Sequence, residues 1–201
     1  MPTTLIESVE PLVDTSVGPR RKTWTREEVA ALAKSGELNV ERLELVEGEL
    51  IDKMGKNRPH IIVQHQIAKI LNDVFGIDRV SMESTLEVAY SDRRSNEPVP
   101  DLLVTHRDVQ FYKNTPLPED ASLLVEVSDT TLRYDLTTKA KLYARAGIIE
   151  YWVADLNTRT LIIHRQPEQG RYTSVTAYSA EESVSPLAAP EHSILVGSLF
   201  P

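Results

Sequence analysis

Residues 121–155, ASLLVEVSDTTLRYDLTTKAKLYARAGIIEYWVAD, contain the pattern that decides the fold. The first part is a short apolar run, and residues 122–127 within it form a predicted buried strand. A helix is predicted over about 136–146, with Asp135 as its N-cap. Residues 151–154 form a further predicted strand. The stretch therefore predicts a strand, a helix and a second strand in succession.

Helices and strands are also predicted on both sides of this stretch. Thr25 can N-cap a short helix, and Glu28 completes a capping box. Residues 80–90 alternate apolar and polar side chains, as in a half-buried strand. The other predicted elements are a hairpin at 42–46 and 49–53, a helix at 60–75, and strands at 101–105, 161–164 and 172–178. We interpret residues 23–201 as one mixed α/β domain that follows an N-terminal tail at 1–22.

The composition excludes several classes of function. The 201 residues carry a net charge of -8, which disfavours coating of nucleic acid by bulk charge but allows a local basic groove. The absence of cysteine excludes disulfides, thiol nucleophiles and cysteine-ligated zinc. Phosphate-loop, dinucleotide-binding and nucleophile-elbow motifs are absent. No apolar run reaches the ~20 residues of a membrane span, and no signal peptide is present, so we expect a cytoplasmic protein without membrane contact.

Two carboxylates lie on otherwise apolar predicted strands. Asp101 precedes an apolar triplet, and Glu126 lies inside the run of residues 122–127. Carboxylates are seldom fully buried unless they are paired or bind metal. If the two strands are neighbours, the two carboxylates can converge and attract a hard cation. The alternative is equally open at this point: Asp101 would be a turn residue and Glu126 a polar residue at a strand edge.

Three further residues could belong to the same site. Lys139 lies one helical turn after Asp135 and one turn before Tyr143, so the three share a helix face. Its ammonium could stabilise negative charge beside the carboxylates, or it could be a surface lysine paired with Asp135. Glu44 could add a ligand oxygen or face solvent. His60, near a helix N-terminus, could contact a phosphate or simply be exposed.

The chain resembles a known family over roughly residues 40–165. The motifs that carry the resemblance are Pro100-Asp101, Val125-Glu126-Val127-Ser128, Tyr134-Asp135-x-x-x-Lys139-x-x-x-Tyr143-Ala144-x-Ala146-Gly147-Ile148, Glu150-Tyr151-Trp152-Val153-Ala154-Asp155 and the earlier run from Leu43 to Leu50. Together they resemble the Uma2 (DUF820) family of endonucleases, within the PD-(D/E)xK restriction-endonuclease-like superfamily.

This resemblance implies a fold and a site. The fold is a restriction-endonuclease-like α/β core, a central mixed β-sheet flanked by helices, with extra β-hairpins. Asp101 and Glu126 would be ligands of Mg²⁺, for which Mn²⁺ can substitute, and Lys139 would take the catalytic role. Glu44 would be the additional catalytic acidic residue. The superfamily's usual lysine position holds Ser128, and Lys139 matches the migrated lysine of Uma2-like members; Lys141, the competing candidate, is out of phase with the helix face.

The leading hypothesis is a metal-dependent endonuclease that hydrolyses DNA phosphodiesters with a metal-activated water. DNA contacts are expected from Arg93 and Arg94, which precede Asp101, and from His60. The other basic candidates are residues 20–22, Lys53, Lys56 and Arg58. A homodimer is expected, since two strands need two active sites. The alternatives are a catalytically silent nucleic-acid-binding or protein-interaction module of the same fold, and a hydrolase of small phosphate esters.

Overall fold

The computed structural model describes residues 21–53 and 56–201. The predicted tail at 1–22, apart from its last two residues, lies outside the described residues. The helices are α1 (Arg26–Ser35), α2 (Arg58–Phe75), α3 (Leu132–Tyr134) and α4 (Ala140–Arg145), and a π-helical turn, Asp135–Lys139, joins α3 to α4. The strands are β1 (Leu43–Val46), β2 (Glu49–Asp52), β3 (Val80–Met82), β4 (Leu102–Thr105), β5 (Ala121–Ser128), β6 (Glu150–Asp155), β7 (Thr160–Glu168), β8 (Arg171–Tyr178), β9 (Ser183–Val184) and β10 (Ile194–Leu195).

A six-stranded mixed sheet in the order β3-β4-β5-β6-β7-β8 forms the centre of the fold. Strands β5 and β6 are parallel, and every other neighbouring pair is antiparallel. The parallel pair needs a crossover, which the helical segment from α3 to α4 provides. The predicted hairpin is present as β1 and β2, and β9 pairs with β10. The predicted mixed α/β fold is therefore confirmed.

Alternating side chains on β5 fill two cores on opposite faces of the sheet. Val125 belongs to the core that includes Ile67 of α2, whereas Leu124 belongs to the core that includes Tyr143 of α4. Because alternate residues of a strand face the same side, Glu126 lies on the same face as Leu124. A carboxylate is thereby directed towards the helical crossover. The aromatic side chains of Tyr143, Tyr151 and Trp152 are also fully buried.

The helices α1 and α2 both begin with side-chain caps. Thr25 and Glu28 form the expected capping box of α1. In α2, the side chain of Asn57 accepts a hydrogen bond from the backbone N–H of His60 at 2.9 Å. This cap starts α2 at Arg58, two residues before the predicted beginning, so the first turn projects towards the end of β4. No helix in residues 21–53 and 56–201 meets the length and apolarity of a membrane span.

The predicted strand at 80–90 is wrong beyond Met82. Glu83 has a positive φ of 51°, and its backbone N–H donates to the carbonyl of Asp101, so the chain turns away from the sheet. Leu86 and Val88 are nevertheless fully buried. The alternation of residues 80–90 therefore reflected burial without continuous strand pairing.

The predicted helix at 136–146 begins earlier, at Leu132, and Asp135 is not its N-cap. Asp135 lies inside the helical segment as the first residue of the π-helical turn. Its carboxylate accepts hydrogen bonds from Ser128 at 2.5 Å and from Thr131 at 2.7 Å. These two hydroxyls belong to the end of β5 and to the turn that follows it. They satisfy the carboxylate of Asp135, which was predicted to accept hydrogen bonds from the helix backbone.

The buried His164 should make the stability of the fold pH-dependent. It packs between Tyr151 and Tyr172, with ring centroids 5.3 and 5.4 Å away, and burial lowers the pKa of its imidazole below 6.5. As the pH falls below 6.5, the unfolded chain takes up this proton before the folded chain does, so the free energy of unfolding decreases, by at most about 1.4 kcal/mol per pH unit. Urea unfolding at pH 7.5 and 5.5 measures this loss.

The matched variants are His164→Phe, which keeps an aromatic ring in the cluster, and His65→Gln, which changes an exposed histidine. The decrease in stability should become smaller only in His164→Phe. Equal decreases in both variants and the wild type would contradict the assignment.

Candidate functional site

A pocket of about 310 Å³ opens where β4 and β5 face the N-terminus of α2, the β1–β2 hairpin and the helical crossover. Its walls include the predicted site residues Glu44, His60, Asp101, Glu126 and Lys139. These residues come from five separate segments of the chain. The structure therefore brings together all the predicted catalytic and metal-ligand residues.

The two predicted DNA-contact residues Arg93 and Arg94 do not line this pocket. Arg93 lies 3.3 Å from the carboxylate of Glu87, and its guanidinium lies over the ring of Tyr90 at 5.7 Å. Arg94 is exposed. Their contact with DNA stays a prediction.

Strand pairing brings Asp101 beside Glu126. Strands β4 and β5 are neighbours, as the convergence hypothesis required, and Leu102 pairs with Val125. One step further along this antiparallel register, Asp101 is opposite Glu126. The Oδ2 atom of Asp101 accepts a hydrogen bond of 2.8 Å from the backbone N–H of Val127. Glu126 lies on β5, between β4 and β6, so the strand-edge alternative is wrong. Asp101 lies at a bend just before β4, and both carboxylates are buried.

Lys139 bridges two buried carboxylates. Its Nζ lies 2.8 Å from Oε1 of Glu126 and 2.9 Å from Oε1 of Glu44. The hydroxyl of Tyr143 donates to the same oxygen of Glu126 at 3.1 Å. Lys139 is buried, whereas the competing Lys141 is exposed and does not line the pocket. The surface-lysine interpretation is therefore wrong.

Glu44 is held from the opposite side of the pocket. Its other oxygen, Oε2, accepts a hydrogen bond of 3.2 Å from the backbone N–H of Val99. The side chain is buried, so it does not face solvent as the alternative interpretation supposed. The β1–β2 hairpin thus carries a carboxylate to the ammonium of the crossover helix.

Asp101 has a second set of partners at the N-terminus of α2. The Nζ of Lys56 lies 2.7 Å from Oδ1, and the Nε2 of His60 lies 3.3 Å from Oδ2. Lys56 also contacts Glu83 at 2.6 Å and the amide oxygen of Gln64 at 3.0 Å. From the sequence, Lys56 was predicted only as a candidate DNA contact, and Gln64 was not predicted to contact the site. A polar residue on the buried face of α2 was the available signal for Gln64.

The protonation equilibria of the two central carboxylates differ. Burial raises the pKa of Glu126 to about 8, and the charge of Asp101 contributes to this rise, while the charge of Lys139 opposes it. For Asp101, burial also acts to raise the pKa, but His60 and the charge of Lys56 together hold it well below its ordinary value. Burial likewise raises the pKa of Asp135. Burial therefore favours the neutral form of Glu126 and Asp135, whereas the groups beside Asp101 favour its charged form.

Several buried carboxylates converge on this pocket. Four carboxylates of the pocket are buried, those of Glu44, Asp101, Glu126 and Asp135, and two lysines, Lys56 and Lys139, contact three of them. A divalent cation bound beside Glu126 would favour the charged form of this carboxylate. Carboxylate oxygens on adjacent strands are the ligands that Mg²⁺ prefers.

The pocket offers few side chains that could bind a metal ion. Within residues 21–53 and 56–201, no three His, Asp or Glu side chains form a group that could hold a metal by themselves. Asp101 and Glu126 could supply two carboxylate ligands, which suits Mg²⁺, because this ion retains several waters. Lys56 is the group with which a cation at Asp101 would compete. The donor set therefore fits a hard cation whose remaining positions are open to water and substrate.

Comparison with known proteins identifies the family and supports the fold. The family model of Uma2, described as "Putative restriction endonuclease", matches residues 26–197. A crystal structure of "a putative nuclease belonging to DUF820" from Anabaena variabilis is similar, with a TM-score of 0.63 and 19% sequence identity over 84% of this chain and 96% of that one. At this identity the likeness shows the fold. Comparison with curated proteins gave no match.

The buried ion pairs of Lys139 give a stability prediction. Lys139→Met leaves Glu126 and Glu44 without their shared cation, and the loss of one partner from such a buried pair costs about 3–5 kcal/mol. In the double variant Lys139→Met, Glu126→Gln, one of the unpaired charges is removed, so the loss should be smaller than in Lys139→Met alone. Urea unfolding at neutral pH measures both values. A double variant that loses at least as much as the sum of its single variants would contradict this coupling.

Proposed function

The chain belongs to the Uma2 family, and we propose that it is a metal-dependent endonuclease that hydrolyses phosphodiester bonds of DNA. The observation that carries the proposal is the convergence of the buried side chains of Asp101, Glu126 and Lys139 in one pocket. The family description and the relative from Anabaena variabilis, both of which name a nuclease activity, support it.

Asp101 and Glu126 would hold the cation, which we propose to be Mg²⁺, with Mn²⁺ as a substitute. The chemistry that such a cation supplies when bound is Lewis acidity towards a phosphodiester and a lowered pKa for a water molecule. The chain would keep both ligands in place before binding. Asp101 accepts a hydrogen bond from Val127, and Glu126 accepts one from Tyr143. Such fixed ligands lose little conformational entropy when the cation binds.

Lys139 would act on the phosphate and on Glu126. Its ammonium lies at the pocket wall, where a positive charge stabilises the negative charge that develops on the phosphate oxygens. Its contact with Oε1 of Glu126 also orients this carboxylate. Glu44 would hold the ammonium in position from the hairpin side, where it contacts Nζ at 2.9 Å. Glu44 therefore acts through Lys139.

His60 and Lys56 would contact the incoming substrate at the N-terminus of α2. Both line the pocket, and both contact the carboxylate of Asp101. A phosphate that approaches the ends of β4 and β5 would therefore pass them. Lys56 could exchange the carboxylate of Asp101 for a phosphate, because an ammonium donates hydrogen bonds to either anion. This exchange would couple substrate entry to release of Asp101 for the cation.

Cleavage of both strands of a duplex would need two active sites, so we propose that the chain acts as a homodimer. The end strand β8 supports this proposal, because it pairs with β7 on one side and its side chain Val175 is 53% exposed. An edge strand with an exposed apolar residue is a site at which chains associate.

Substitution of the cation ligands should remove cleavage. We expect Asp101→Asn and Glu126→Gln each to lower the rate of plasmid DNA cleavage in Mg²⁺ by about 100-fold or more, because each removes a charge that would bind the cation. The control is Asp155→Asn, a buried carboxylate at the end of β6 that does not line the pocket and should leave the rate unchanged. Retained cleavage in both site variants would overturn the assignment.

Calorimetry with Mn²⁺ separates an enzyme from a silent module. The wild type and Asp155→Asn should bind Mn²⁺, and Asp101→Asn should bind it at least about ten-fold more weakly, since one of two carboxylate ligands has lost its charge. DNA binding by a wild type that binds no Mn²⁺ and cleaves nothing would favour the catalytically silent module of the same fold.

The dimer is tested by light scattering during size-exclusion chromatography. The wild type is expected to have the mass of two 22.6 kDa chains. Val175→Lys places a charge on the exposed edge of β8 and should shift the mass towards the monomer. A monomeric wild type at assay concentrations would contradict the proposal.

A further inference from the structure

The outward face of α2 forms a second, shallower depression beside the pocket. This depression, the α2 groove, has a volume of about 720 Å³. Its lining residues are chiefly basic or apolar, with one imidazole and one amide: Lys56, Arg58, Ile61, Ile62, His65, Gln66, Lys69 and Pro201. Ile61 and Ile62 are 42% and 43% exposed, although isoleucine is ordinarily among the most buried residues. The groove is therefore an unusual combination of exposed apolar and basic groups.

The charge of the α2 groove is opposite to that of the whole chain. No Asp or Glu lines it, although acidic residues outnumber Lys and Arg by 30 to 22. Arg58 and Lys69 form no ion pair within the described residues. Their charges are thus available to an anionic partner, as expected of a local patch that binds phosphate groups.

Helical periodicity arranges the polar side chains of the groove in a row. Arg58, His65 and Lys69 are separated by seven and four residues, so they lie along one side of α2. The row spans eleven residues, or roughly 16 Å at 1.5 Å per residue. One strand of DNA advances about 3.4 Å per nucleotide, so the row can follow several consecutive phosphates.

The α2 groove is continuous with the candidate active site. Lys56 lines both depressions, and its Nζ lies 2.7 Å from Oδ1 of Asp101. The first turn of α2 contributes His60 to the pocket, and the following turns carry the groove. A polymer that leaves the pocket past Lys56 would therefore meet Arg58 next.

We propose that the α2 groove binds the backbone of the DNA strand whose phosphodiester enters the pocket, with Arg58 and Lys69 on its phosphates. This inference rests on the proposed nuclease function and adds where the substrate lies. Ile61 and Ile62 contact the apolar edges of the sugars between the two cations. The protein thus grips DNA through one local surface while its net charge stays negative.

Equilibrium binding of a fluorescein-labelled 20-base-pair DNA duplex tests the proposal by fluorescence anisotropy in EDTA, where cleavage does not interfere. The double variant Arg58→Glu, Lys69→Glu should bind about ten-fold or more weakly than the wild type at low salt. The slope of log affinity against log salt should become shallower by about 1.8, since two phosphate contacts are lost. Ile62→Ser should weaken binding without changing this slope.

The matched control is Lys113→Glu, Arg171→Glu, which changes the net charge equally at two exposed positions outside the groove and the pocket. Its affinity for DNA should stay within about two-fold of that of the wild type, and the slope of log affinity against log salt should stay unchanged. Equal effects in the two double variants would reduce the groove to a bulk-charge effect and overturn the proposal. So would a wild type that binds no DNA, or a loss of affinity confined to Arg93→Glu, Arg94→Glu.

The result is separable from the test of the active site. Asp101→Asn should bind DNA in EDTA as tightly as the wild type or more tightly, because it removes a negative charge from the pocket. If Asp101→Asn loses cleavage while Arg58→Glu, Lys69→Glu binds DNA as tightly as the wild type, the nuclease is supported and the groove is refuted. If the wild type never cleaves DNA while Arg58→Glu, Lys69→Glu binds DNA more weakly than the wild type, the groove is supported and the nuclease is refuted.

Discussion

The structure depends on the ammonium of Lys139, which is buried between the carboxylates of Glu126 and Glu44. Removal of each charged group from water costs several kcal/mol, and only close opposite charges and hydrogen bonds offset that cost. Glu126 obtains two such contacts at one oxygen, at 2.8 Å from Lys139 and at 3.1 Å from Tyr143. A carboxylate can therefore occupy the middle of the otherwise apolar strand β5.

The partners of these charges come from distant parts of the chain. Glu44 lies on the hairpin, Glu126 on β5, Lys139 on the crossover helix and Lys56 before α2. None of the short elements that carry them buries its charge alone, so the site is complete only when the sheet and both helical layers have assembled. The same assembly buries four carboxyl groups in the pocket, and burial raises the pKa of Glu126 to about 8. Stability and cation binding are thus opposed at one place, as is usual where a functional site is built into a fold.

Local patterns predicted those parts of the site that depend on periodicity. A carboxylate within residues 122–127 and the phase of Lys139 with Tyr143 were visible because strands and helices repeat regularly. The sheet order could be expected only through the family resemblance, since pairing of β4 with β5 joins distant segments. The Lys56–Asp101 contact, 45 residues apart, has no local signal at all. The strand predicted at 80–90 failed for the same reason. Leu86 packs in the core that includes Tyr143, and Val88 packs with Val46 and Leu142, so distant segments bury both residues without strand pairing.

The distribution of charge explains how an acidic chain can present a surface to an anionic polymer. Part of the excess of eight negative charges lies in the pocket, where buried carboxylates are partly neutralised by lysines, while Arg58 and Lys69 project from α2 without acidic neighbours in the groove. Surface charges further away than about 8–10 Å are largely screened at physiological salt, so an approaching phosphate responds to the local cations more than to the net charge. The composition alone therefore could not exclude a nucleic-acid partner. The relevant quantity is the charge of the surface within one Debye length of the bound phosphate, and the α2 groove presents Lys56, Arg58 and Lys69 with no Asp or Glu in its lining.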